Sequence, residues 1–255
     1  MKAATWNVNS IRARVAHVCR WLEEHQPDVC CLQELKCMDD AFPHAAFEAC
    51  GYHCYCFGQK ARNGVALLSR TRLEDVQRGF GNGFDTESAR LITARCADLA
   101  IINVYVPNGQ APATPAFEYK RDFLRELHAL LRRRWSPDTP LLLAGDFNVA
   151  PTDDDVYNPA ALRGSICFHP DEQNDFQRLL SWGLHDLFRT VHPHGKFFSW
   201  WDYRGGGFPL NEGMRLDHIL VTESVASRCH DCFIDTMPRG WARPSDHAPV
   251  VAVWS

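Results

Sequence analysis

The chain has 255 residues, of which 45% are hydrophobic and 23% charged, a composition that supports a large globular core. Its formal net charge of −4 argues against a protein that coats nucleic acid by bulk charge. The same charge is compatible with a local basic groove, or with an acidic cluster neutralised by a bound cation.

Targeting signals and cysteine usage point to a cytoplasmic protein. Residues 1–7 contain no charged segment followed by a long apolar stretch, so no signal peptide is predicted. No apolar run approaches the roughly 20 residues of a membrane span. The eleven cysteines are then expected to be free thiols. Cys229 and Cys232 form only a weak candidate metal or redox pair, because no second pair follows at zinc-finger spacing.

The first half of the chain predicts strands that alternate with a helix. A strand over residues 2–8 leads to Ser10, a predicted helix N-cap, and to an amphipathic helix that Pro27 ends. A short buried strand over 28–32 ends in Gln33 and Glu34. Further strands are predicted over 52–57, 64–69, 90–96 and 99–106.

The second half repeats the alternation of helix and strand. An amphipathic helix is predicted from Pro115 to the three arginines at 132–134, where cations suit a helix C-terminus. Gly183 is the predicted cap of a later helix. The remaining elements are a helix over 171–182, a Gly- and aromatic-rich loop over 193–213, and strands over 215–222 and 250–254. The recurrence suggests two similar halves, with two packed sheets and helices outside.

The apolar run 141–144 predicts a buried strand that ends in Gly145, Asp146, Phe147 and Asn148. Since strand side chains alternate, Asp146 and Asn148 are expected on one face and Phe147 on the other. A carboxylate and an amide at the mouth of a buried strand are costly unless they are paired or bind a metal. The alternative is a turn in which the aspartate caps the next segment.

Polar side chains stand at the ends of five predicted strands. They are Asn7, Glu34, Asp146 with Asn148, Asp217, and Asp246 with His247. The first three groups follow a strand and the last two precede one, so mixed or antiparallel pairing can bring all five to one edge. Taken singly, a residue such as Asp217 or Glu34 would more often be a cap or part of a surface ion pair. Together they form an oxygen-rich set that favours Mg²⁺ or Mn²⁺ over zinc and suits phosphate ester hydrolysis.

Seven motifs resemble, in order and over essentially the whole chain, the exonuclease III family of apurinic/apyrimidinic endonucleases. The motifs are Trp6-Asn7-Val8-Asn9, Leu32-Gln33-Glu34-Leu35-Lys36, Gly64-Val65-Ala66-Leu67-Leu68-Ser69, Gly145-Asp146-Phe147-Asn148, Trp200-Trp201-Asp202-Tyr203-Arg204, Arg215-Leu216-Asp217-His218-Ile219-Leu220 and Ser245-Asp246-His247-Ala248-Pro249-Val250. The resemblance implies an α/β fold, the four-layered αββα sandwich of two packed mixed sheets found in deoxyribonuclease I, formed by residues 1–255 as a single endonuclease/exonuclease/phosphatase domain.

The resemblance also implies an activity. It is that of a Mg²⁺-dependent DNA repair nuclease that hydrolyses phosphodiesters 5′ to abasic sites and removes 3′ nucleotides or 3′ blocking groups in base excision repair. The implied partner is double-stranded DNA with abasic sites or 3′ ends. A monomer is expected, cytoplasmic, of bacterial type, and nucleoid-associated through DNA.

The resemblance assigns roles residue by residue. Glu34 resembles the principal metal-binding carboxylate, and the other residues at or near the metal are Asn7, Asp146, Asn148, Asp246 and His247. Asp146 matches the residue that orients or deprotonates the attacking water, and Asn148 the amide that holds the scissile phosphate. Tyr105 matches a tyrosine that contacts the phosphate or the leaving oxygen. Asp217 matches the carboxylate that orients the histidine, His247.

The substrate-binding predictions are less specific. Trp200 matches the aromatic residue that lines the pocket for the base-free sugar. Arg90, Lys120 and Arg204 are candidate phosphate contacts, with a solvated-surface role as the alternative. Departures from the family pattern include the loop after Tyr105, Trp201 in place of a phenylalanine, and residues 160–170, where a bulky side chain would disfavour an extrahelical abasic nucleotide.

Three alternatives remain beside the main interpretation. One is a 3′-end-processing phosphodiesterase or exonuclease with little abasic endonuclease activity. Another is a phosphatase of the same fold that acts on inositol phosphates, or a sphingomyelinase-like enzyme. The third is a DNA-end-binding protein that has lost the chemistry.

Overall fold

The computed structural model describes residues 1–255 and contains fourteen strands and eight α-helices. The strands are β1 Lys2–Asn7, β2 Val29–Gln33, β3 His53–Phe57, β4 Val65–Ser69, β5 Glu74–Arg78, β6 Leu91–Cys96, β7 Leu99–Tyr105, β8 Leu141–Asp146, β9 Leu184–Asp186, β10 Trp200–Trp201, β11 Gly213–Met214, β12 Asp217–Thr222, β13 Cys229–Ile234 and β14 Val250–Trp254. The helices are α1 Ile11–His25, α2 His44–Ala49, α3 Pro115–Arg134, α4 Pro159–Leu162, α5 Pro170–Ser181, α6 Leu187–Val191, α7 Gly207–Leu210 and α8 Glu223–Ala226.

Two six-stranded mixed sheets repeat one arrangement. Their strand orders are β13-β14-β1-β2-β4-β3 and β5-β6-β7-β8-β12-β9. In each sheet the two central strands are parallel, β1 with β2 and β7 with β8, and all other pairs are antiparallel. A long helix joins each parallel pair, α1 in the first sheet and α3 in the second. The two similar halves suggested by the sequence are therefore present as two equivalent sheets.

The sheets pack face to face, and helices cover both outer faces. Alternate side chains of both sheets fill a central core that includes Ile101, Leu142 and Ile219. The outer face of the first sheet packs on α1 and α2 through residues such as Trp21. The outer face of the second packs on α3 and α5, with Phe123 among the buried residues. The predicted four-layered αββα sandwich is confirmed. No helix combines the length and apolarity that crossing a bilayer requires.

The element boundaries agree with the sequence where apolar periodicity is strong. The strands missed by the sequence are edge or very short ones, such as β5, whose residues are mostly exposed. Within the predicted loop 193–213, β10 pairs with β11, and Trp200 also bridges to the backbone of His247. All eleven cysteines are free, and Cys232 is buried in the core between the sheets.

The start of α1 differs from the prediction, because Ser10 makes no side-chain cap. Instead its backbone N–H donates to the carbonyl of Glu34 at 2.7 Å, and that of Ile11 donates to Leu35 at 3.1 Å. The first turn of α1 is thus tied to the segment that follows β2. This contact fixes Glu34 relative to the end of β1.

Candidate active site

The carboxyl ends of the central strands of both sheets meet at one edge of the molecule. Asn7 closes β1, and its Nδ2 donates to Glu34 Oε1 at 3.0 Å and to Asp146 Oδ2 at 2.8 Å. Glu34 follows β2 of the same sheet, whereas Asp146 closes β8 of the other. One buried amide therefore joins the two sheets where carboxylates from both converge, and three of the five predicted strand-end groups meet here.

Glu34 lies in a turn with a left-handed backbone, φ +54°. Its Oε1 accepts from the Tyr105 hydroxyl at 2.8 Å, and its Oε2 lies 2.8 Å from Lys36 Nζ. Burial alone would raise the pKa of Glu34, but the Lys36 charge and the Asn7 hydrogen bond outweigh it and lower that pKa. Burial and the Glu34 charge raise the pKa of Tyr105 well above its ordinary value. Glu34 is thus ionised beside a protonated phenol.

Asp146 and Asn148 both face the site, but a turn brings Asn148 there, and the strand does not continue through it. β8 ends at Asp146, and Asn148 has a left-handed backbone with φ +51°. The Asn148 backbone N–H donates to Asp146 Oδ1 at 2.9 Å, and its Nδ2 donates to the carbonyl of Val106 at 3.0 Å. Phe147 points away into the core beneath α3 and α5. Asn148 is 6% exposed, so the loop presents its amide from a buried position.

Gly145 is required by the close approach of β7 to the end of β8. A Cβ at this position would lie 2.0 Å from the carbonyl oxygen of Val104, and the φ of Gly145 is +153°. Because backbone atoms cause this clash, a side chain would push the strands apart directly before Asp146.

His247 and Asp217 form a buried pair beside Asp146. His247 Nδ1 lies 2.8 Å from Asp217 Oδ2, and its Nε2 lies 3.7 Å from Asp146 Oδ2. Ser199 Oγ donates to the same Asp217 oxygen at 2.6 Å. Burial lowers the pKa of His247, but the charges of Asp217 and Asp146 outweigh it and raise that pKa to about 10. The imidazole is therefore held as a cation at neutral pH.

Burial is also the largest influence on Asp146, and it raises the pKa of this carboxyl to about 7. His247 lowers that pKa, whereas the nearby charge of Asp217 raises it. Three carboxyl groups and one imidazole thus share a small buried volume. Such a cluster favours a bound cation, which would offset the repulsion between the carboxylates.

Asp246, the residue before His247, is held by two donors. Asn9 Nδ2 donates to Asp246 Oδ1 at 2.9 Å, and Trp200 Nε1 donates to Oδ2 at 3.1 Å. Trp200 therefore orients Asp246 while its ring forms part of the cavity wall. Asn9 and Lys36 belong to two of the family motifs, but the sequence alone assigns no role to either.

The polar groups line one side of a cavity of about 320 Å³. Its other side is formed by Ile166, Cys167, Met214, Leu216 and Trp200. The segment 160–170 thus contributes two wall residues. His169 lies outside the cavity, where it caps α5 and packs edge-on against Phe117. Asn108, also in the wall, had no role in the sequence analysis; its Nδ2 lies 3.2 Å from Asn148 Oδ1.

The residues present fit a hard divalent cation. One ligand atom from each of Glu34, Asp146 and His247 lies within 4.8 Å of the others. His247 is held as a cation and so offers no nitrogen lone pair, which leaves the carboxylate oxygens of Glu34 and Asp146 as the main ligands. An oxygen-rich set of this kind suits Mg²⁺ or Mn²⁺ better than zinc.

The three basic residues predicted to contact phosphate have different environments. Arg90 Nη1 donates to the carbonyl of Tyr105 at 3.1 Å, and its guanidinium lies 4.6 Å from the Tyr105 ring centroid. Arg204 has a side chain 90% exposed and pairs with Asp202 at 2.9 Å. The phosphate contact predicted for Lys120 is wrong: its side chain is fully buried and its ammonium is paired with Glu172.

Comparisons with known proteins agree with this architecture. The Endonuclease/Exonuclease/phosphatase family model matches residues 4–247. The chain is 39% identical to Exodeoxyribonuclease III of Haemophilus influenzae, over 99% of both chains. A structure of a Neisseria 3′ phosphatase bound to a product DNA hairpin superposes with a TM-score of 0.96 at 42% identity, covering 100% of this chain and 99% of that one. An AP endonuclease from Archaeoglobus fulgidus gives 0.96 at 38% identity, with the same coverage.

Family, sequence identity over the full length and the convergent carboxylates lead to one assignment. The chain belongs to the endonuclease/exonuclease/phosphatase family and, within it, to the exonuclease III type of DNA repair nuclease, a metal-dependent phosphodiesterase.

Proposed function

We propose that residues 1–255 form a single domain that hydrolyses DNA phosphodiesters with Mg²⁺, 5′ to abasic sites and at 3′ ends carrying nucleotides or blocking groups. The enzyme would act in base excision repair. The observation that carries the proposal is Asp146, held by Asn7 and the backbone of Asn148, with the Nε2 of His247 3.7 Å away.

Asp146 orients the attacking water and accepts its proton. Its pKa of about 7 suits a general base, since proton transfer is most effective when the pKa of the base lies near the working pH. Asn148 holds the scissile phosphate through its amide, whose second hydrogen remains after the bond to Val106. These two residues come from one turn, so water and phosphate are positioned by the same short segment.

His247 and Tyr105 stabilise the negative charge that develops on the phosphate and the leaving oxygen during cleavage. The cationic imidazole, fixed by Asp217 and almost fully buried, stabilises the negative phosphate oxygens. The Tyr105 hydroxyl keeps its single proton, which it donates to Glu34 in this structure and would redirect to the phosphate or the leaving oxygen when substrate binds. Trp200 lines the sugar pocket and orients Asp246.

Mg²⁺, or Mn²⁺ in its place, would be held by Glu34 with Asn7, Asp146, Asn148, Asp246 and His247 at or near it. When bound, the cation supplies charge neutralisation for the phosphate and the leaving oxygen. Glu34 is the principal anchor, because its lowered pKa keeps it ionised and Asp146 is then left to handle the water.

Double-stranded DNA is the proposed partner, and the protein acts as a monomer in the cytoplasm, associated with the nucleoid through DNA. Arg90 borders a second, polar cavity of about 460 Å³ that also includes Arg62. Arg90 and the exposed Arg204 are proposed to contact phosphates, which positions a duplex without reading its sequence.

A second candidate is an enzyme that mainly processes 3′ ends. The apolar wall favours it, because Ile166 and Cys167 narrow the cavity that an extrahelical abasic nucleotide would enter. A terminal 3′ phosphate needs less room than a flipped nucleotide. The similarity to a Neisseria 3′ phosphatase supports this alternative, and that to the Archaeoglobus AP endonuclease supports the first.

The test is product analysis on three matched duplexes, with a single abasic analogue, a 3′ phosphate or an intact 3′ end. Each is incubated with Mg²⁺ and with chelator. Cleavage that needs the metal supports the proposal, and the ratio of products ranks the two candidates. Equal cleavage with chelator would rule out the metal, and preference for inositol phosphate or sphingomyelin in competition would favour the phosphatase alternative. Tight DNA binding without turnover would indicate a binding protein.

A further inference from the structure

Lys120 lies in α3 with its ammonium fully buried behind the candidate site. It is paired with Glu172 of α5, and both side chains have 0% exposure. The same Lys120 Nζ donates to the backbone carbonyl of Asn148 at 2.6 Å. A buried charge is retained only when it is well paired and hydrogen-bonded, and this one has two partners of which one is the backbone of a proposed substrate-binding residue.

The Asn148 carbonyl is the first of three in a row that accept from buried or part-buried side chains. Val149 accepts from His218 Nε2 at 2.8 Å, and Ala150 accepts from Gln173 Nε2 at 3.0 Å. Arg215 Nη1 lies 2.9 Å from His218 Nδ1 and so fixes the tautomer in which Nε2 carries the proton. The loop after β8 is thus held at each residue, beginning at Asn148.

This arrangement helps to fix Asn148 in a left-handed backbone, φ +51°, a region that non-glycine residues rarely occupy, although asparagine enters it more readily than most. A conformation of this kind persists only where its surroundings fix it. Lys120 supplies the donor to the Asn148 carbonyl, and the amide side chain of the same residue faces the cavity. The direction of that amide therefore depends on its own bonds to Val106 and Asn108 and also on a contact on the opposite side of the backbone.

Lys120 also reaches the apolar wall of the cavity. Glu172 Oε1 accepts from the backbone N–H of His169 at 3.0 Å, which fixes the segment directly after Cys167. The side chains of Lys120 and Ile166 both lie against Gly109. A Cβ at this glycine would be 3.0 Å from Lys120 Cδ and 2.9 Å from Ile166 Cδ1. One ion pair thus links the loop that carries Asn148 with the wall that carries Ile166.

We propose that Lys120 is a positioning residue for catalysis: it directs the Asn148 amide through the Asn148 carbonyl and, through Glu172, fixes the distance of that amide from the cavity wall. The inference rests on the proposed function in one respect only, namely that Asn148 holds the scissile phosphate. Lys120 itself touches no substrate.

The test separates position from stability. Lys120→Met leaves the Glu172 carboxylate buried and unpaired, so it lowers the melting temperature as well as kcat. Adding Glu172→Gln removes that charge and restores the melting temperature, but the Asn148 carbonyl still lacks its donor. We expect kcat to stay about 10- to 100-fold below wild type, with KM changed less than about threefold, since a displacement of about 1 Å has effects of this size.

Arg121→Met is the matched control. Arg121 is the next residue of α3 and pairs with Asp175 of α5 at 3.0 Å, but it does not touch Asn148. Its substitution removes an ion pair between the same two helices and should leave kcat near the wild-type value. If the double variant regains kcat together with its melting temperature, Lys120 is only structural and the inference is overturned. If the Lys120→Met, Glu172→Gln double variant does not fold, Lys120→Leu with Glu172→Met replaces both charged side chains by apolar ones. Its kcat is expected to be lowered by the same factor.

A second readout does not depend on activity. The side-chain amide signal of Asn148 in a ¹⁵N NMR spectrum is identified as the one lost in Asn148→Asp. It should shift in the double variant and stay in place in Arg121→Met; an unchanged signal in both contradicts the inference. If the wild-type protein cuts none of the three duplexes, the proposed function fails, and this signal alone decides the role of Lys120.

Discussion

His247 Nδ1 lies 2.8 Å from Asp217 Oδ2, and this contact fixes which nitrogen of the imidazole faces the candidate site. With Nδ1 bound to the carboxylate, Nε2 points toward Asp146 Oδ2, 3.7 Å away. Ser199 Oγ donates to Asp217 at 2.6 Å and accepts from the backbone N–H groups of Leu216 and Asp217 at 3.0 Å. The orientation of the histidine is therefore set by the start of β12.

Asp217→Asn should lower both the pKa of His247 and the nuclease activity. The charge of Asp217 is the main influence that raises this pKa, to about 10, against the effect of burial. Without it, only the charges of Asp146 and Asp246 oppose the effect of burial, so the imidazole becomes neutral at a lower pH. We expect kcat to fall by roughly 10²-fold or more, as the loss of a histidine-orienting carboxylate does elsewhere. NMR titration of His247 and single-turnover kinetics measure the two effects, and an unchanged histidine pKa would contradict the assignment.

Glu34→Gln should weaken metal binding without unfolding the protein. Loss of groups that merely orient ligands already costs about 10- to 100-fold in affinity, so loss of the principal carboxylate is expected to cost at least that much. Mn²⁺ titration by calorimetry measures the change in the protein without DNA. Glu118→Gln, on the exposed side of α3, is the control and should bind Mn²⁺ as the wild type does. Equal affinity in Glu34→Gln would place the metal elsewhere.

Ile166→Ala should shift the balance of activities toward abasic sites. The smaller side chain widens the cavity, so an extrahelical nucleotide fits more easily, whereas a terminal 3′ phosphate gains little. We expect the ratio of abasic cleavage to 3′-phosphate removal to rise about tenfold, the effect of roughly 1.4 kcal/mol. Leu162→Ala is the control, because Leu162 packs in the same small apolar cluster but does not line the cavity. A ratio that changes equally in both variants would exclude a role for the wall in substrate choice.

The sequence predicted the layers and the convergence of strand ends, because short apolar segments that end in polar residues follow simple rules. It did not predict how the loops turn. Asn148 reaches the cavity through a left-handed residue, and its support comes from Lys120, 28 positions earlier in the chain. Such contacts depend on which helix packs against which loop, and periodicity carries no information about that. For the same reason, the sequence does not distinguish a buried Lys120 from a lysine that contacts phosphate.

Acid should weaken the fold through the buried ion cluster around Arg215. Arg215 Nε lies 2.7 Å from Asp155 Oδ1, and Nη2 lies 2.8 Å from Asp186 Oδ2. Burial opposes ionisation, but the Arg215 charge and its hydrogen bonds outweigh it and lower the pKa of both carboxyls. Their stabilising effect is therefore complete above the ordinary aspartate pKa of about 4 and is lost as the pH falls below it.

Arg215→Met tests this cluster. It leaves the buried Asp186 carboxylate without its arginine and Asp155 with Arg189 as its remaining cation, and should lower the free energy of unfolding by about 3–5 kcal/mol at pH 7. Without Arg215 the carboxyls take up protons at higher pH, so the difference from wild type should shrink as the pH falls toward 4. Urea unfolding at pH 7, 5 and 4 measures this difference in the free energy of unfolding between the variant and the wild type. A difference that grows on acidification would contradict the direction of these pKa values.

The central claim is that Asp146, where the two sheets meet, acts on the water that cleaves DNA. The most direct measurement is single-turnover cleavage of the 3′-phosphate and abasic duplexes by Asp146→Asn, with Mg²⁺ and with DNA affinity and melting temperature recorded alongside. The variant should bind DNA and stay folded, while the cleavage rate falls by about 10²- to 10⁴-fold on whichever duplex the wild type cuts. A folded Asp146→Asn protein that cleaves within a few-fold of the wild-type rate would contradict the claim.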